Sequence, residues 1–210
     1  MYNGNNFQQS LAIGQLGESM IAQWLRRKGW HVLPTYEIEI DNGKGPRLFT
    51  AYGSDTDQLI SPDLIAMKNG SFKWVEAKHK TRFSWYGIGK YFVTGVDIRH
   101  FEDYCKVADS THVPVWMLFL HRDSRTWEND INRWRAPATC PVGLFGASIE
   151  KLRTVRSHYT DKHGHSGMVY WQPDVHLKLI APLDEFELPE VAIQQPLPAL
   201  VAQPETHSWL

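Results

Sequence analysis

PDLIAMKNGSFKWVEAKHK, residues 62–80, contains two apolar runs separated by Lys68, Asn69, Gly70 and Ser71. Asn-Gly between two such runs is the strongest local hairpin signal, because a type I′ turn needs positive φ at both central residues. With Asn69 and Gly70 at the centre, Lys68 pairs with Ser71. Counting outward then opposes Met67 to Phe72, Ile65 to Trp74 and Asp63 to Glu76. Cross-strand partners have Cβ atoms about 4.5–5.5 Å apart, so two carboxylates facing each other repel unless a cation sits with them. Alternation places Trp74, Glu76, Lys78 and Lys80 on one face, with a lysine one step from the acid pair. Two close carboxylates are natural ligands for Mg²⁺ or Mn²⁺, which keep waters for a substrate phosphate.

Outward from the hairpin, Ile13, Leu16, Met20, Ile21 and Trp24 recur at helical spacing from Leu11 to Lys28, and Arg26, Arg27 and Lys28 precede Gly29 as a basic last turn before a C-cap glycine. Glu18 falls at the edge of that apolar stripe, placed to reach a neighbouring cleft. Residues 30–40 read as a strand interrupted or edged at Pro34. Residues 82–96, RFSWYGIGKYFVTGV, read as an aromatic, glycine-rich loop or flap. A second helix is expected from Ile98 to Asp109, with Asp97 as N-cap and Ile98, Phe101, Tyr104, Cys105 and Ala108 on its buried face. VWMLFL after Pro114 reads as a central strand buried on both sides.

Beyond His121 the expectation is a polar, Trp-bearing loop to Pro141, a short helix over 149–158, strands over 168–171 and 175–180, and an extended Pro-rich tail from Pro182. The fold class is therefore α/β, a mixed central sheet flanked by helices. The expected division is a core over 1–121, an α/β decoration over 122–181 and a tail over 182–210.

Pro62-Asp63, twelve intervening residues and Glu76-Ala77-Lys78 resemble the PD-(D/E)-x-K nuclease superfamily. Its restriction-endonuclease-like core has the order just read: helix, strand, hairpin, helix, strand. GQLGE around Glu18 and the EAKHKT ending resemble Holliday-junction resolvase-type members, in which a short Gly-rich turn precedes a helix glutamate. The resemblance covers residues 11–121. It implies a Mg²⁺- or Mn²⁺-dependent deoxyribonuclease with Glu18, Asp63 and Glu76 as metal ligands, the Ala77 carbonyl as a backbone ligand and Lys78 as the catalytic lysine. Lys80 is then placed to contact phosphate. Arg82, Trp85, Tyr86 and Lys90 are the further candidates for holding DNA. An endonuclease, a DNA-end exonuclease and a non-catalytic nucleic-acid-binding module stay open, as do a homodimer and a protein partner for the tail.

Composition limits these readings. A net charge of −1 excludes binding of nucleic acid through global positive charge. Contacts must be local, and Lys68, Lys73, Lys78, Lys80, Arg82 and Lys90 face only Glu76 within residues 68–90. The nine tryptophans supply core volume and stacking surface. Cys105 and Cys140 form no metal-ligand spacing and fit a reducing, cytoplasmic setting. No apolar run approaches membrane-spanning length. His158, Asp161, His163 and His165 match no dedicated zinc spacing, and a solvated loop accounts for them. GIGK at 87–90 lacks the ending of a phosphate loop. Arg99 and His100 open the second helix, where a polar side chain could face the active-site cleft of such a fold, and solvation is the simpler account.

Overall fold

The computed structural model describes residues 4–35, 47–49, 58–156, 158–161 and 166–186. In chain order the elements are α1 (Gly4–Arg27), β1 (His31–Pro34), β2 (Arg47–Phe49), β3 (Gln58–Ile60), β4 (Leu64–Lys68), β5 (Ser71–Lys80), β6 (Ser84–Tyr86), β7 (Tyr91–Asp97), α2 (Ile98–Thr111), β8 (Val115–His121), α3 (Glu128–Trp134), β9 (Gly143–Ser148), α4 (Ile149–Thr154), β10 (His158–Thr160), β11 (Met168–Trp171), β12 (Lys178–Ala181) and a 3₁₀ turn, Leu183–Phe186.

The hairpin forms in the register that its turn demands. Asn69 and Gly70 have φ of 50° and 75°, and Lys68, Met67 and Ile65 pair with Ser71, Phe72 and Trp74. β5 then runs parallel to β8, while β1, β4, β9 and β12 join antiparallel, giving a mixed six-stranded sheet in the order β1-β4-β5-β8-β9-β12. Pro34 ends β1 at the sheet edge, where its missing N–H costs no ladder bond. β8 lies at the centre, and its burial on both faces explains the unbroken apolar run.

The sheet separates two cores. On one face Met20, Ile21, Trp24 and Leu25 of α1 pack on Val75, Ala77 and Leu120. On the other, Tyr104 and Val107 of α2 pack on Met117, Phe119, Ile149 and Trp171. α1 ends as expected, with Gly29 at φ 81° donating to Arg26 O and Trp30 donating to Leu25 O, the paired bonds of a Schellman cap. Asp97 caps α2 by accepting from the Arg99 N–H at 3.0 Å.

Several expectations need correction. α1 starts seven residues before the expected Leu11, and Gly14 and Gly17 lie inside it rather than in a turn before Glu18. Leu16 is half exposed, because it falls where α1 faces a groove rather than the sheet. Residues 84–97 are an ordered hairpin, β6–β7, in a four-stranded sheet of order β10-β11-β7-β6, rather than a flap. β9 was unread because glycines interrupt its apolar pattern at Gly143 and Gly146. Both sit where a Cβ would meet neighbouring strands within 3 Å. α3 interrupts the expected polar loop. α4 ends at Thr154 and β12 begins at Lys178, later than expected. The tail does not begin at Pro182: the turn after it packs Phe186 against Trp24, and Glu185 accepts from the Trp24 indole at 2.7 Å. Residues 187–210, like 36–40, lie outside the described residues.

Gly17 is the tightest point between α1 and the hairpin. A Cβ built there would stand 2.1 Å from His79 Cβ. Gly17→Ala is expected to destabilise the protein by about 1–3 kcal/mol, the usual cost of overpacking a close contact. A shifted urea midpoint with unchanged slope would show this, and an unshifted midpoint would show that α1 gives way freely.

Candidate active site

Asp63 stands one residue beyond the last paired rung of the hairpin, Leu64 with Val75. It is not a ladder partner of Glu76, as register counting alone implied. Its carboxylate instead bridges the gap, Oδ2 accepting from the Ala77 N–H at 2.9 Å. Glu76 is fully buried on β5, where the Tyr104 hydroxyl donates to its Oε1 at 2.6 Å and Lys78 Nζ forms an ion pair with the same oxygen. Alternation along β5 explains the sharing: Trp74, which donates to Thr111, and Glu76 point toward α2. Val75 and Ala77 point toward α1.

Glu18 approaches from α1. Burial, then the Asp63 carboxylate, raise its pKa to about 7 against the opposing pull of Lys78. Asp63 is likewise raised to about 7, by burial first and the Glu76 carboxylate second, with Lys78 and the Ala77 N–H acting against both. Lys78 is held firmly protonated: burial opposes its charge, and Glu76 beside it more than compensates. Three acids and one lysine thus form a single electrostatic unit. Perturbation of this kind, from desolvation and named charge partners, is characteristic of functional sites.

The donor set suits a hard divalent cation. Glu18 Oε2 and Glu76 Oε2 are buried without a hydrogen-bond partner among the described residues. A buried acceptor in that state is costly, and a cation relieves it. The acids are not closed around a metal as they stand: among the described residues no three His, Cys, Asp or Glu side chains converge into a metal-holding group. Lys78 already engages Glu76, and Asp63 spends one oxygen on Ala77.

Two neighbours of the cluster, Tyr104 and His100, lie outside the set of candidate site residues that the sequence offers. Tyr104 belonged to the apolar face of α2, and only its hydroxyl, docked on Glu76, makes it more than core. His100 is partly buried with its ring 6.4 Å from that of Tyr104, and its pKa is lowered by burial and then by Lys78. Tyr104→Phe is expected to cost about 1–3 kcal/mol by leaving a buried charged acceptor short of a donor. Chemical denaturation measures it, and unchanged stability would show that Lys78 alone satisfies Glu76.

The other candidates are placed differently. Lys80 lies near Lys78, and burial followed by that neighbour's charge lowers its pKa to about 8. Arg82 forms an ion pair with Asp123 and stacks on Trp127, its guanidinium carbon 4.1 Å from the ring centroid. Trp85 packs edge-on against Phe92, and Tyr86 stacks on His158 at 4.0 Å, both in the second sheet. Lys90 is exposed in the β6–β7 turn with φ 58°. The basic run over 68–90 does not form one patch. Lys73 lies between the rings of Trp30 and Trp116, against the α1 core, because strand alternation sends it to the face opposite Lys78. Residues 162–165, which include His163 and His165, lie outside the described residues.

No protein-family profile and no curated protein sequence matches this chain. Among solved structures, it is similar to Hjc, a Holliday junction resolvase from the archaeal hyperthermophile Archaeoglobus fulgidus, with a TM-score of 0.38 and 9% identity over 76% of this chain and 88% of that one. A similarity so remote carries no weight for chemistry, and the candidate site stands on its own geometry. The fold class is a mixed α/β sheet flanked by helices, as expected. Among the described residues no helix is long and apolar enough to cross a membrane.

Proposed function

We propose that this protein is a divalent-metal-dependent deoxyribonuclease that hydrolyses phosphodiester bonds within DNA strands. One observation carries the reading: Asp63, Glu76, Lys78 and Glu18, from three elements, form one desolvated cluster in which two carboxylate oxygens are left without partners. Core packing has no use for such an arrangement, since it costs stability.

In this reading Asp63, Glu76, Glu18 and the Ala77 carbonyl hold Mg²⁺ or Mn²⁺. The ion supplies polarisation of the phosphoryl oxygen and a more acidic water. The chain's own residues do the rest. Lys78 orients the attacking water and faces the negative charge that builds on the phosphoryl oxygens as water adds and the bond to the leaving oxygen breaks. Tyr104 fixes one oxygen of Glu76 and leaves the other free for a ligand. Lys80 contacts the scissile or adjacent phosphate in this reading, and burial beside Lys78, which lowers its pKa to about 8, weakens its charge above that pH.

Incubation of covalently closed circular DNA with the protein and Mg²⁺ or Mn²⁺ tests this directly. Nicking supports an endonuclease, and degradation of linear but not circular DNA would favour an end-directed exonuclease. Binding without cleavage of linear, single-stranded or four-way branched DNA would leave a non-catalytic module. The branched substrate is included because GQLGE and EAKHKT resemble resolvase-type members.

A further inference from the structure

The polar segment joining β8 to β9 has no part in the cluster above, yet its surface is unusual. HRDSRTWENDINRWR, residues 121–135, carries four arginines and two tryptophans. The tryptophans flank α3 and remain exposed, Trp127 at 49% and Trp134 at 43%. Each ring has an arginine against it: Arg82 lies 4.1 Å from the Trp127 centroid and Arg133 5.0 Å from that of Trp134. Arg82 is held in turn by Asp123, so the outer surface of Trp127 is presented on a fixed support rather than a free rotamer. Trp134 is braced by backbone, since a Cβ on Gly87 would stand 2.3 Å from its ring.

A groove of about 680 Å³ lies alongside. Its walls are Leu16 of α1, His79 and Thr81 at the end of β5, and Arg122 to Arg125 after β8. Leu16 and His79 belong to the same two elements as Glu18 and Lys78, so the groove is built on the elements that carry the candidate active site. Asp123 is neutralised by Arg82 and Arg125 together. Arg122 is exposed, and its guanidinium makes no ion pair among the described residues. Its backbone N–H is tied to Thr81 O at 3.2 Å. Two arginines against one aspartate that is also paired with Arg82 make the wall locally cationic in a chain of net charge −1, and a cationic track beside an exposed, arginine-backed indole matches a phosphate backbone with an unpaired base.

We propose that this groove and α3 form a second DNA-contacting surface, in which Arg122 holds backbone phosphate and Trp127 stacks on an unpaired base of the same strand. The inference takes its ligand from the nuclease reading and extends it: the preferred substrate carries single-stranded character next to the bond that is cut. It also accounts for an indole half exposed to water although an arginine fixes its ring.

Binding is measured by fluorescence anisotropy in EDTA, with labelled oligothymidylate and a blunt duplex hairpin as probes. Trp127→Ala is expected to weaken oligothymidylate binding at least about fivefold while leaving the hairpin unaffected, and Trp127→Phe to retain binding, because stacking needs a ring face. Arg122→Gln is expected to weaken binding of both probes and reduce the salt slope by about one. Wild-type affinity of Trp127→Ala for oligothymidylate overturns the inference, as does a wild-type protein that binds neither probe. Melting temperatures of the variants exclude misfolding. Nicking of circular DNA is scored separately: a protein that nicks normally while Trp127→Ala binds as wild type loses this inference and keeps the nuclease reading. One that binds through Trp127 but never cleaves keeps the inference and loses the reading.

Discussion

Replacing Lys78 with methionine is expected to slow Mg²⁺-dependent nicking of circular DNA by at least about 100-fold, with little change in affinity for the same DNA. A cation positioned where charge develops in the transition state is worth on the order of 10²–10³ in rate. Methionine matches the unbranched apolar stem of lysine and removes the ammonium group with its charge and donors. The structure predicts a side effect, since Lys78 is the ion-pair partner of fully buried Glu76. Breaking a buried pair costs about 3–5 kcal/mol, and Tyr104 and any bound cation offset part of it. Lys78→Arg separates the two effects, because it keeps the charge and the fold while moving the donor geometry. Rate constants from single-turnover nicking, taken below the melting temperature of each variant, check the expectation. A Lys78→Met protein that nicks at the wild-type rate would remove Lys78 from the mechanism.

Asp63→Asn is expected to stabilise the metal-free protein at pH 8 while abolishing cleavage. The sign follows from linkage. In the folded protein Asp63 has its pKa raised from 3.8 to about 7. The stability it contributes is complete only well below the unfolded value of 3.8, where the carboxyl is neutral in both states. It is lost as pH rises toward 7, because the unfolded chain releases the proton more readily. Glu18, raised from 4.5 to about 7, acts in the same direction over the same window. For Asp63 a shift of this size corresponds to about 2–4 kcal/mol, or roughly 5–10 °C in melting temperature for a chain of this length. Asparagine cannot ionise and still accepts from Ala77, so the variant should melt higher than wild type at pH 8 and alike well below pH 3.8. Mn²⁺ should reverse the order at pH 8 by holding the wild-type carboxylates ionised. Identical melting of the two proteins at pH 8 without metal would show that Asp63 is not strained by its neighbours. Equal stabilisation of both by Mn²⁺ would place the metal elsewhere. Loss of stability at a functional site is the usual trade for a preorganised cluster of like charges.

The same electrostatics explain what was and was not legible beforehand. Asp63, Glu76 and Lys78 were readable because a two-residue turn sets register and alternation sets face, and both are local rules. Glu18 was readable as an acid at the edge of an amphipathic stripe, although its electrostatic coupling to Asp63 depends on Gly17 letting α1 lie against His79. The limit of local reading shows at Asp63 itself: the ladder stops at Leu64, and the side chain, not the backbone, closes the remaining distance. Arg82 shows the opposite outcome. It looked like one of a row of cations beside the hairpin, but it is paired with Asp123 from 41 residues along the chain.

By itself, then, the sequence determined the hairpin, the two main helices with their caps, the buried central strand and the acid, acid and lysine set. Each of these is encoded within a few residues by turn chemistry, periodicity or spacing. Only the tertiary structure decided that β9 and β12 complete the sheet, that the Tyr104 hydroxyl docks on Glu76, and that residues 121–135 form an arginine-backed aromatic surface. Those features depend on contacts between residues far apart in the chain, where burial and charge pairing override local pattern. The hairpin therefore carries the candidate chemistry, and the surface beside it, assembled only on folding, is where substrate choice is proposed to be made.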